Sequence, residues 1–116
     1  MIEHINSNNR MSQVVRAGNI AWLAGQIPQD TSADIEGQTR EVLDNIDAIL
    51  QNLGGSKANL TQVQIWLETL DDVAGMNAVW DDWVDPAHPP ARATCAVGLV
   101  SAKRGVRIEV LATAAL

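Results

Sequence analysis

Val106-Arg107-Ile108-Glu109-Val110-Leu111-Ala112-Thr113-Ala114-Ala115 is the stretch on which the fold turns. In an extended chain, successive side chains point to opposite faces. Val106, Ile108, Val110, Ala112 and Ala114 then share one side, while Leu111 and Ala115 stand on the other. A strand that is apolar on both sides expects cover on both. The rest of the chain supplies two helical segments, enough for one face of a sheet. The other face is expected to be covered by copies of the same chain, because symmetric self-association needs no further segment.

A turn around Lys103-Arg104-Gly105 joins this strand to a preceding one, Ala91 to Val100. Asp85 to Pro90, with three prolines, breaks a helix that begins at Asp71-Asp72 and carries Val73, Met76, Trp80 and Trp83 on its inner stripe. Acidic residues at its start suit the positive end of the helix dipole. Thr61 to Leu70 alternates, with Val63, Ile65 and Leu67 on one side, and reads as a strand. From Asp34 to Leu53, Ile35, Val42, Leu43, Ile46, Ile49, Leu50 and Leu53 recur at three- and four-residue steps. That period predicts a helix, capped by Thr31, Ser32 or Asp34 and ended at Gly54-Gly55. Gly25 to Ser32 reads as a loop. Val14 to Ala17 and Ile20 to Ala24 flank Gly18-Asn19 as a hairpin, and Ile2 to Ile5 adds a short first strand. The expectation is one α+β domain over residues 1–116, with both helices on one face of the sheet.

Composition narrows the chemistry. Four Trp and no Phe or Tyr remove any mechanism that needs a phenol. The formal net charge is −6 and the eight basic residues are scattered, which argues against a nucleic-acid surface. Lys103-Arg104 with Arg107 reads as a solvated turn. The single Cys95 has no intrachain disulfide partner, and no basic-then-apolar leader precedes the domain. Together these lead to the expectation of a reducing, cytoplasmic setting. No apolar run approaches the roughly 18 residues of a membrane helix.

His4, His88 and Cys95 match no tetrahedral metal site, and no carboxylate cluster suggests an oxygen-liganded cation. No serine sits in a nucleophile elbow, and Cys95 reads as a small buried side chain. Gly18 and Gly25 read as turn glycines. Arg92 differs: it opens an otherwise small, uncharged strand directly after Pro89-Pro90. Its planar fork suits a substrate carboxylate, or equally a structural acid such as Glu109. Glu109 lies between Ile108 and Val110, where a carboxylate is either paired or held protonated by desolvation. It fits a structural ion pair or a water-orienting base. Asn77, beside Met76 and Trp80, fits a satisfied amide or a helix anchor.

Pro90-Ala91-Arg92-Ala93-Thr94, then Gly98-Leu99, then Val106 to Val110, resembles the signature of the RidA/YjgF reactive-intermediate deaminase family. Gly18-Asn19 with Ala24-Gly25-Gln26-Ile27-Pro28 is similar to that family's first hairpin and loop. Asp44-Asn45-Ile46, Leu53-Gly54-Gly55 and Leu70-Asp71-Asp72 through Met76-Asn77 continue the likeness in order, so it spans essentially the whole chain. The resemblance implies a homotrimer of chorismate-mutase-like subunits, with active sites in the clefts between neighbours. It assigns the substrate carboxylate of an imine or enamine such as 2-aminoacrylate to Arg92, and the attacking water to Glu109. Backbone near Gly25 and after Arg92 lines the site. Ammonia and a 2-oxo acid leave without any cofactor. Three positions depart from the family pattern: Met11 stands where an active-site tyrosine is usual, Ala24 for a serine, and Thr94 for a cysteine, with Cys95 one place late.

Both an imine deaminase and a non-catalytic trimeric binder of small carboxylates need Arg92 and a cleft. A ribonuclease role, sometimes attached to this family, fits poorly with the acidic balance. The expected partners are therefore a small carboxylate-bearing substrate and copies of the chain, with no nucleic acid and no membrane.

Overall fold

The computed structural model describes residues 1–116 and contains a six-stranded mixed sheet with two α-helices on one face. The strands are β1 (Ile2–Ser7), β2 (Ser12–Ala17), β3 (Ile20–Leu23), β4 (Leu60–Leu67), β5 (Ala91–Ala96) and β6 (Ile108–Ala115). The helices are α1 (Ile35–Asn52) and α2 (Val73–Trp83). No helix is long and apolar enough to cross a membrane.

β1, β2 and β3 form an antiparallel meander whose second turn is Gly18-Asn19, with Gly18 at φ 60°. The spatial order is β1-β2-β3-β6-β4-β5. β6 is inserted between β3 and β4 and runs antiparallel to both. Two strands parallel to one another need a long crossover. α1 supplies it between β3 and β4, and α2 between β4 and β5.

α1 begins where Asp34 accepts a hydrogen bond from the Gly37 amide at 2.8 Å. It ends where Gly54 turns left-handed at φ 84° and the Gly55 amide returns to the Leu50 carbonyl at 2.9 Å. That six-to-one bond closes the orphan carbonyls of the last turn. Its apolar stripe of Val42, Leu43, Ile46 and Leu50 packs on Val63, Ile65 and Leu67 of β4 and Ile108, Val110, Ala112 and Ala114 of β6. Gln38 is also fully buried there. Its amide donates to the carbonyls of Ala33 and Gly105, and its oxygen accepts from the Arg107 amide. A buried amide is tolerable only with such partners.

Several boundaries move. β4 stops at Leu67, because Leu70–Asp72 form a short 3-10 turn that leads into α2. β5 stops at Ala96, and β6 starts at Ile108. Val79 joins Met76 and Trp80 on the buried side of α2, while Val73 and Trp83 are partly buried. Arg107 is not part of a solvated turn: its guanidinium pairs with Asp72, whose side chain is 4% exposed. The face without helices carries Ile20, Trp22, Trp66, Leu111 and Ala115, and Trp22 is 46% exposed. Cys95 is exposed rather than buried, since β5 is an edge strand and Cys95 pairs opposite Trp66 on this same face.

Candidate active site

β5 places Arg92 opposite Val63, whose side chain is buried beneath the helices, so Arg92 leaves the sheet on the helix side at its open edge. There it meets α2. Nη1 donates to Asn77 Oδ1 at 2.9 Å, and the guanidinium carbon stands 5.1 Å from the Trp80 ring centroid. Asn77 and Trp80 are three residues apart and therefore share a helix face. The chain's side-chain ion pairs are Arg107–Asp72 and His88–Asp85, so Arg92 is held only by neutral groups. Nε and Nη2 make no hydrogen bond to the protein, which leaves donors on the fork open. Thr94, two residues along on the same face, has a buried hydroxyl with no hydrogen-bond partner.

Glu109 lies on the opposite face of the sheet, beside Trp66 of β4. It makes no ion pair and no side-chain hydrogen bond, so the structural pair with Arg92 is not formed. Burial pushes its carboxyl above the ordinary glutamate range. Gly25 is not a turn glycine. A side chain there would overlap Glu109 Oε2, so its bare backbone makes room for the carboxylate. Gln26 locks this segment to β6, donating to the Val110 carbonyl at 2.8 Å and accepting from its amide at 3.0 Å. Ala24 is tied to Gln13 at 2.8 Å, and Met11, 42% exposed, sits at the same end of β2. A cleft of about 290 Å3 opens beside Glu109, lined also by Trp66 and the Val97–Val100 segment. Glu68 holds that segment by accepting from the Leu99 amide at 2.8 Å.

The predicted residues thus fall into two groups. Arg92, Asn77 and Thr94 gather on the helix side of one edge; Glu109 and Gly25, with Ala24 beside it, gather at one end of the open face. Met11 stands apart in the turn before β2, two strands from β6. Arg92 and Glu109 are separated by two strand spacings and three residues of rise, which puts their Cα atoms on the order of 14 Å apart. They also point to opposite faces. One small substrate cannot touch both within a subunit. Sequence reasoning missed Trp80 as the support of Arg92 and Glu68 as the anchor of the cleft. The signal for Trp80 was its three-residue spacing from Asn77. Glu68 left none, because its contact spans 31 residues.

The sequence model of the family described as Endoribonuclease L-PSP matches residues 1–116. The chain belongs to this family. Among relatives, a RutC family protein of Haemophilus influenzae is 39% identical over 113 residues, covering 97% of each chain. The RutC family protein YoaB of Escherichia coli is 36% identical over 111 residues, covering 96% of each. Among solved structures, a protein from Pseudomonas aeruginosa superposes with a TM-score of 0.94 at 35% identity, covering 99% of this chain and 98% of that one. A member of the YjgF protein family from Neisseria meningitidis gives 0.93 at 33% identity, covering 99% and 94%. Membership of this L-PSP and YjgF family agrees with the two-helix, six-strand arrangement and with the order of motifs along the chain.

Proposed function

We propose that this protein hydrolyses reactive imines and enamines derived from amino acids, of the 2-aminoacrylate type, to 2-oxo acids and ammonia. The observation that carries the reading is the state of Arg92: a guanidinium held in place by an amide and an indole, with no carboxylate of the protein on its fork. A cation so held is set to take up an organic carboxylate bidentately. Family membership supports the general role.

The two groups of residues act together across a subunit boundary. Arg92 of one copy faces the Glu109 end of the next, and a closed ring of three copies covers the apolar open face. Arg92 pins the substrate carboxylate and hence the neighbouring C=N carbon, which turns hydrolysis into attack by an oriented water. Glu109, unpaired and desolvated, accepts a proton from that water. Its raised affinity for protons brings it nearer the pH at which a general base is useful. An enamine first tautomerises to the imine by taking a proton at carbon. The water oxygen then bonds to the imine carbon while Glu109 takes its proton and passes it to the nitrogen. As the C–N bond breaks, the hydroxyl loses its proton to the departing nitrogen, releasing ammonia and the 2-oxo acid.

The ribonuclease activity in the family's description is not the reading favoured here. His4 lies on β1 and His88 just before β5, at opposite edges of the sheet, so they do not form an acid–base pair within a subunit. The test is an oxidase-coupled assay in which imino acids are generated and trapped with semicarbazide. The protein should compete with the trap. Absence of competition across imines from several amino acids, alongside retained binding of 2-oxo acids, would leave a trimeric carboxylate binder instead.

A further inference from the structure

The cleft on the helix side between β1, β2 and α1 belongs to neither group of residues above. It holds about 310 Å3, at the small end of the range for ligand clefts. Five side-chain amides line it, from Asn6, Gln13, Gln26, Asn45 and Asn52, and no ionisable group does. Ile5, Val14, Ala48, Ile49 and Leu53 supply its apolar surface.

Gln26 is the informative member. It is 8% exposed, and its Nε2 donates to Gln13 Oε1 at 3.2 Å and to the Ala24 carbonyl at 3.0 Å. The Ala24 carbonyl can only accept, so the orientation of the Gln26 amide is decided. Its own oxygen accepts no hydrogen bond from the protein and is not sealed from solvent, so it is free to accept one from a ligand in the cleft. Asn6 adds a second peculiarity. β1 and β2 pair through Ile5 with Val14 and Ser7 with Ser12, but Asn6 between them is left-handed at φ 53° and unpaired. The amides of Asn6, Asn45 and Asn52 have no hydrogen bond to the protein either.

We propose that this cleft is a second binding site, for an uncharged small molecule that presents a planar carboxamide or lactam edge. Such an edge carries one donor and one acceptor side by side, which a set of amides can match in either sense. A carboxylate would bring a charge into a wall with no cation to balance it, and would leave the acceptors of the amides unmatched. The proposal rests on this geometry alone and is independent of the deaminase reading.

The experiment is an NMR titration of the side-chain amide signals of labelled protein with nicotinamide, and separately with nicotinate, which has the same ring but a carboxylate. Nicotinamide should shift the Gln26, Asn45 and Asn52 signals saturably, with nicotinate weaker at these signals by about tenfold or more, the equivalent of one ordinary net hydrogen bond. Asn45→Leu combined with Asn52→Leu, the first half-buried and the second exposed at the cleft rim, should weaken nicotinamide by a similar factor with an unchanged melting curve. No saturable shift, equal affinity for the two compounds, or an unaffected double variant overturns the proposal. Shifts confined to Arg92 and its neighbours report the other site and count against this one.

Discussion

Arg92→Ala separates a substrate-binding arginine from a structural one by comparing two magnitudes. On the stability side, the variant removes one hydrogen bond to Asn77 and one cation–ring contact with Trp80. These contribute about 1 kcal/mol and about 0.5–1 kcal/mol at an exposed edge. The sum, about 1.5–2 kcal/mol, corresponds to a fall in Tm of roughly 6–10 °C for a domain of this size. On the activity side, the variant removes a bidentate, charge-assisted grip worth about 3 kcal/mol or more. That predicts a loss of roughly 150-fold in kcat/KM. Arg92→Lys keeps the charge and its position over Trp80 but loses the planar fork. It should retain nearly all the stability and still lose about tenfold in rate. The measurements are a thermal melt and semicarbazide-competition kinetics on the same preparations. If Arg92→Ala stays within about threefold of the parent in kcat/KM, the carboxylate grip lies elsewhere. A fall in Tm far beyond the range above would instead make Arg92 a structural residue.

Glu109→Gln should abolish turnover while raising thermal stability at neutral pH. Because its folded pKa lies above the unfolded value, Glu109 favours the folded state most below the ordinary carboxylate range of about 4.3 and loses that contribution as pH rises through the folded pKa. The amide cannot ionise, so the gain in Tm should appear only above that window; equal melting curves from pH 3 to pH 8 contradict the burial argument. The parent's activity should rise with pH through the folded pKa of Glu109, and a rate already at its plateau below about pH 4 removes Glu109 as the base. Arg107→Ala strands the buried Asp72 carboxylate and should cost about 2–3 kcal/mol, discounted for the half-exposed guanidinium, with no direct effect on the reacting groups. Chemical denaturation measures this, and a loss below about 0.5 kcal/mol would mean water replaces the pair. Leu111→Glu, on the face without helices, should prevent the proposed trimer from forming, giving a monomer in light scattering, and remove activity together with assembly. A monomeric parent defeats the shared-site arrangement outright.

Local physics wrote much of this fold into the sequence. The period of α1, the Asp34 cap and the Gly54 terminus each depend on residues within a turn or two of one another. The Gly18-Asn19 hairpin is equally local, and alternation alone put Val63, Ile65 and Leu67 on one side of β4. The two-sided apolar character of Val106 to Ala115 marked the strand that ends up central, and it marked the open face as well. Arg92 stood out because a lone cation follows two prolines in a strand of small residues.

Pairing and facing were decided only by the tertiary structure, because they depend on contacts between distant segments. β6 enters between β3 and β4, a choice that no nearest-neighbour preference encodes. That insertion turns Glu109 toward Gly25 on the open face, while the α2 crossover turns Arg92 toward Asn77 and Trp80. A strand's alternation says which residues share a side but not which side meets the helices, so the opposition of the two candidate catalytic groups could not be read beforehand. The same holds for Arg107 with Asp72, 35 residues apart, and for Cys95, which an edge position leaves exposed. Sequence determined the elements and their apolar faces; the order in which those faces close on one another determined the site.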